Sequence, residues 1–206
     1  MSCWALVPVK ARAEGKSRLA RVLTDEARVA LVRSMLGHVL EVLATAPGID
    51  HVAVVSPERD TVPDDVLVLN EQGRGLNRAL GRGIAALNNL GAREVLVVPG
   101  DLPLLTAGDV AQMLAGTRAA GCALACDGNR TGTNAIGLDF EQLGGVAFRF
   151  LFGRDSFGRH CRQAATLGLG PRLVSSAGLA FDLDEPESLR QFQSGEIQMD
   201  DLRRVS

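Results

Sequence analysis

The chain has 206 residues, 46% apolar and 22% charged, with a net charge of −2. That balance suits a folded globular protein, and the length can bury a substantial core as one domain spanning 1–206. No basic run suggests a nucleic-acid partner, and no stretch approaches the ~20 apolar residues that cross a bilayer.

The first expected element is a strand at Trp4–Val9, an apolar run with no basic segment ahead of it, which reads as a core strand rather than a signal peptide. A polar loop, 11–18, leads to a helix at Asp25–Ala44, where Val29, Val32, Leu36, Val39, Leu40 and Leu43 recur at helical spacing. Strands are expected at His51–Val55 and Val66–Leu69, a helix at Leu76–Leu90, and a third β-run at Glu94–Val98 that runs into Gly100-Asp101. Thr106 opens a helix, with Asp109 as its acidic first-turn partner. Strands at Cys122–Cys126 and Thr133–Leu138, a helix at Ser156–Leu167, a strand at Leu179–Leu183 and a helix at Pro186–Phe192 complete the pattern. Such alternation implies an α/β fold with a mainly parallel central sheet and flanking helices. Ligands of such sheets bind beyond the carboxyl ends of the strands, where Lys10, Ser56, Asp101 and Asp127 are expected. The four cysteines are too scattered for a disulfide scaffold and read as reduced thiols in a cytoplasmic protein. Cys122 and Cys126 on one strand would stand ~13 Å apart, too far to share a metal ion.

Five segments could carry chemistry. The loop KARAEGKSR places Lys10, Lys16 and Arg18 after the first strand, where cations could meet phosphate oxygens; a solvated basic loop explains it equally well. It is not a P-loop, because Lys10 stands where the first glycine is required. In NEQGRGLN, Gly73 and Gly75 permit close backbone approach, and Leu76-Asn77 would open a helix beside a base or ribose; an ordinary glycine-rich turn is the alternative. Asp101, directly after a buried strand, suits Mg²⁺, which takes one or two carboxylates with phosphate oxygens and water. Asp182 and Asp184 would share a face if extended, so one could ligate while the other supports or caps the last helix. Finally, Thr131, Thr133 and Asn134 offer neutral hydrogen bonds, while Gly153 and Ser156 at a helix start offer an anion site, with Arg154, Arg159 and His160 adding positive charge.

Together these motifs resemble the guanylyltransferases of coenzyme F-420 biosynthesis, which activate 2-phospho-L-lactate, phosphoenolpyruvate or 3-phospho-D-glycerate with GTP. The resemblance rests on VPVKARAEGKSRL at 7–19, GRGLNRAL at 73–80, VPGDLPLL at 98–105, GTNAI at 132–136, FGRDSFGRH at 152–160 and FDLDEPESL at 181–189. It implies a Rossmann-like nucleotidyltransferase domain of the glycosyltransferase-A type. It implies Mg²⁺ at Asp101 with Asp182 or Asp184, GTP phosphates near Lys16, guanosine near Gly75–Asn77, and the acid near Thr133, Asn134, Gly153 and Ser156. A transferase that consumes the labile diphosphate product is an expected partner. One departure is the segment 138–151, which is longer and richer in glycine and phenylalanine than is usual for that family. Molybdopterin and sugar-phosphate nucleotidyltransferases are the nearest rivals, but their first loop carries a double glycine that VPVKARAEGKSR lacks. A catalytically silent nucleotide-binding protein is the rival from another class; Lys16, Asp101, Asp182 and Asp184 together argue against it.

Overall fold

A computed structural model describes residues 2–9, 16–59, 62–70 and 75–194. Among these residues seven strands form one sheet: β1 (Cys3–Pro8), β2 (His51–Ser56), β3 (Leu67–Asn70), β4 (Glu94–Val97), β5 (Cys122–Cys126), β6 (Thr133–Asp139) and β7 (Arg172–Val174). Their order is β3-β2-β1-β4-β6-β5-β7, with β6 antiparallel to both its neighbours and every other pairing parallel. The helices are α1 (Asp25–Thr45), α2 (Leu76–Asn89), α3 (Ala107–Ala120), α4 (Ser156–Thr166), α5 (Ala177–Ala180) and α6 (Pro186–Ser194), with a 3-10 turn at Ser17–Arg21.

Alternation along the strands sorts the core into two layers. Cys3, Ala5 and Val7 of β1, with Leu96 and Val98, face the buried stripes of α1 and α3. Leu6, Val95, Val97, Leu124 and Ile136 face α2 and α4 on the other side. Helix α1 starts where Thr24 accepts a hydrogen bond from the Ala27 N–H and Asp25 and Glu26 oppose the helix dipole. Helix α3 carries the expected reciprocal capping of Thr106 and Asp109.

One expectation changes, and two features add to the sequence reading. Leu179–Leu183 is not a strand. Ser176 caps the four-residue helix α5 by accepting from the Leu179 N–H, and Phe181–Leu183 then runs outside the ladder. Gly178 is required there, because a Cβ would strike the Asp109 carboxylate and the Leu104 carbonyl. The edge strand β7 had no clear sequence signal, being three residues long with Leu173 exposed. The Gly/Phe-rich segment is core: Phe148 and Phe150 are buried against α4 while Arg149 between them is exposed.

A third apolar cluster joins Leu19 of the 3-10 turn, Leu31 and Met35 of α1, Leu183, and Leu189 and Phe192 of α6. It fastens the loop after β1 to the segment 181–184 near the chain's other end.

Candidate active site

Strand order reverses at β1, from which the chain builds outward through β2 on one side and β4 on the other. The crevice beyond the carboxyl ends of β1 and β4 is therefore the expected ligand position. Lys16 follows β1 and Asp101 follows β4, and they meet there. The Lys16 Nζ donates to Asp101 Oδ2 at 2.7 Å and to Asp184 Oδ1 at 2.5 Å. Its side chain is only 6% exposed, whereas those of Asp101 and Asp184 are 32% and 48% exposed. The two carboxylates outweigh burial and hold the Lys16 ammonium above its ordinary pKa. A solvated basic loop was the alternative reading of this segment; burial and two ion pairs exclude it for Lys16. Lys16 also adopts a left-handed conformation, with φ of 51°.

Asp182 is pushed up to about 6, by burial first and then by the charges of Asp101 and Asp184. Its effect is felt although the segment is not a strand: the Leu183 N–H reaches the Asp101 carbonyl at 3.4 Å, and Leu183 is anchored in the third cluster. Two carboxylates thus hold one ammonium, and Asp182 is near enough to feel all three charges. Two carboxylates at this position suit a divalent cation such as Mg²⁺, which takes one or two carboxylates along with phosphate oxygens. Among the described residues no three His, Cys, Asp or Glu side chains already gather as a complete metal cluster.

Arg18, expected near phosphates, pairs at the surface with Glu185 at 2.9 Å. Lys10 and Gly73 lie outside the described residues. Gly75 is the N-cap of α2, at φ 91°, and Leu76 packs against the second core layer. Asn77 donates through Nδ2 to the Phe152 carbonyl at 3.1 Å and accepts at Oδ1 from the Phe152 N–H at 2.7 Å. Ser56 is buried and closes a turn with Glu58. Asp127 accepts from the Thr131 N–H.

Around the expected acid position, Thr133 and Asn134 are buried at the start of β6. Asn134 donates to the Leu179 carbonyl at 2.9 Å, which steadies the segment leading to Asp182. The Thr133 hydroxyl lies 2.9 Å from His160 Nδ1, while His160 Nε2 accepts from the Leu151 N–H at 2.8 Å. That acceptor fixes the neutral tautomer with the proton on Nδ1, donated to Thr133. Burial, then the Arg159 charge, lowers His160 to about 4. His160 adds no positive charge, contrary to expectation; it organises the fold between Phe148 and Phe152.

Gly153, at φ 120°, turns the chain into α4. Asp155 takes the N-cap position, so Ser156 is the first helical residue and is buried. The anion site expected from open donors is reduced, because the Ser156 N–H bonds to Gly153 and the Phe157 N–H to Thr131. The roles of His160, Asn77 and Leu183 had not been read from sequence. The alternation FRFLF ahead of a helix was the available signal for a packed segment before α4.

The family model for "Guanylyl transferase CofC like" matches residues 3–199. The chain belongs to this family of guanylyl transferases. It is 37% identical to a phosphoenolpyruvate guanylyltransferase of Sphaerobacter thermophilus, over 93% of this chain and 92% of the relative. It is 36% identical to a 3-phospho-D-glycerate guanylyltransferase of Phenylobacterium zucineum, over 93% and 89%. It is also 36% identical to a 2-phospho-L-lactate guanylyltransferase of Halorubrum lacusprofundi, over 85% and 77%. Among solved structures, a protein of Desulfovibrio desulfuricans G20 provisionally described as a nucleotide-diphospho-sugar transferase has the same fold. Its TM-score is 0.80 at 17% identity, covering 100% of this chain and 92% of that one. CMP:2-keto-3-deoxy-manno-octonic acid synthetase shares the fold at a TM-score of 0.59 and 13% identity, covering 93% and 96%. No helix among the described residues is long and apolar enough to cross a membrane.

Proposed function

We propose that this protein moves GMP from GTP onto the phosphate of a small phosphorylated acid, in coenzyme F-420 biosynthesis, with release of pyrophosphate. The observation that carries the reading is the meeting of Lys16, Asp101 and Asp184 at the β1/β4 crevice, in a chain of the guanylyl transferase family. Phosphoenolpyruvate is the first acid to test, because relatives matching at 37–39% identity are named for it.

The acceptor phosphate is already anionic near neutral pH, so no protein nucleophile is needed. Its oxygen forms a bond to the α-phosphorus of GTP as the bond from that phosphorus to the bridging β-phosphate oxygen breaks. The obstacle is repulsion between anions. An ammonium has three N–H donors, and Lys16 directs two at carboxylates. The third is the one a phosphate oxygen would take, in a site that shields it from water. Asp101 and Asp184, with Asp182 beside them, would hold Mg²⁺; bound there, it neutralises phosphate charge. Gly75 and Leu76 would lie toward the guanosine and the 153–156 turn toward the acid, which would position the two reactants.

Pyrophosphate release should be measured with GTP and each of the three acids, with CTP in place of GTP as a control. Release with GTP and one acid supports the reading. No release with any of them overturns it.

A further inference from the structure

The segment 146–152 has no strand partner, so its backbone polar groups need other partners. At Leu151 and Phe152 side chains supply them. His160 accepts from the Leu151 N–H, and Asn77 closes a two-bond ring on the N–H and carbonyl of Phe152. Asn77 thereby does for one residue what a neighbouring strand would do. Its partner is 75 positions away in sequence and immediately precedes Gly153. Phe152 also packs edge-on against His160, whose ring is itself fixed by Thr133.

Both amide atoms of Asn77 are engaged by Phe152, through one Nδ2–H and one lone pair of Oδ1, so the plane of the amide is set by Phe152. We infer that Asn77 is a positioning residue for the acid-binding turn 153–156, joined through Phe152, and not a ligand of the nucleotide. This rests on the proposed placing of the acid at that turn. Anchoring it from the first turn of α2, which follows the nucleotide-side Gly75, makes the geometry of the acid turn depend on the helix beside the nucleotide.

The test compares wild type, Asn77→Ala and Asn77→Asp, by steady-state kinetics and by amide hydrogen exchange without substrates. In Asn77→Ala the KM for the acid rises roughly tenfold, the scale of losing two neutral hydrogen bonds, while the KM for GTP stays within about twofold. The Phe152 amide loses protection, and the melting temperature shifts little because Asn77 is exposed. Asn77→Asp keeps an acceptor for the Phe152 N–H and restores much of that protection, with an intermediate KM. A rise in the KM for GTP with the acid unaffected makes Asn77 a nucleotide ligand and overturns the inference. So does an unchanged Phe152 amide in Asn77→Ala. The exchange result needs no turnover; an inactive wild type would therefore refute the proposed reaction without deciding the role of Asn77.

Discussion

Removing the Lys16 side chain separates the charge and backbone contributions of this residue. Lys16→Ala leaves Asp101, Asp182 and Asp184 without their ammonium. Breaking a fully buried ion pair costs about 3–5 kcal/mol, whereas an exposed pair is worth about 0–1 kcal/mol. Lys16 is 6% exposed but its partners are 32% and 48% exposed, so the loss should fall between, at about 2 kcal/mol. For a chain of this size that is a fall of about 4–8 °C in melting temperature. Alanine keeps the strain of the left-handed backbone at φ 51°, whereas glycine relieves about 1 kcal/mol of it. Lys16→Gly should therefore melt about 2–4 °C above Lys16→Ala although both lack the charge. Added salt screens the leftover carboxylates and should narrow the gap to wild type. Thermal melts of the three proteins at low and high salt check this. Lys16→Ala melting with wild type at low salt would refute the buried ion pair, and glycine melting below alanine would refute the strain. Both variants should also lower kcat/KM for GTP, by about 1.5–3 kcal/mol for one charged phosphate contact, read from pyrophosphate release.

Asp101→Asn should cut turnover at least ~100-fold while circular dichroism stays native, because an amide replaces the carboxylate proposed to hold the metal; near-normal turnover removes Asp101 from the site. Ser156→Ala should raise the KM for the acid by about 1–2 kcal/mol and spare GTP, and paired titrations of each substrate decide it. His160 gives a pH dependence. Its folded pKa, about 4, lies below its ordinary 6.5, so the unfolded chain binds the extra proton between those values. Stability from this residue is full above pH ~6.5 and is lost as pH falls toward 4, by about 3 kcal/mol. Denaturant melts from pH 7 to 4.5 should show that slope in wild type and a weaker one in His160→Gln; equal slopes would show that His160 is not held neutral.

The alternation of strands and helices was legible, and so were single signals such as the Thr106–Asp109 cap and the apolar run Cys122–Cys126. The run Leu179–Leu183 misled because its apolar residues suit a strand, while Ser176, three residues earlier, favours a helical turn by capping Leu179. The charged centre was partly legible: Asp101 through its position directly after a strand, Lys16 only as one cation of the loop after the first strand. The roles of Asn77, Thr133 and Asn134 were not. Each is a neutral hydrogen-bonding residue in a first helical turn or at a strand start, a pattern equally suited to holding a ligand or a distant part of the chain. What decides between them is the partner, and Phe152, His160 and Leu179 lie 75, 27 and 45 residues away.

The two halves of the site are built by different means, and this bears on how one fold serves different acids. Lys16, Asp101 and Asp184 come from three parts of the chain, but Leu19 and Leu183 bind two of those parts into one apolar cluster, and the Leu183 N–H meets the Asp101 carbonyl. Apolar burial of this kind is non-directional and tolerant of change around its edges. The charge proposed for nucleotide chemistry is thus fixed independently of the turn proposed for the acid. That turn is held by a few directional bonds, from Asn77 to Phe152 and from His160 to Leu151, with Gly153 supplying the bend. A substitution there shifts a small polar surface by altering one or two bonds and leaves the carboxylate–ammonium centre in place. Relatives named for three different phosphorylated acids, each matching at 36–37% identity, are what such a division permits.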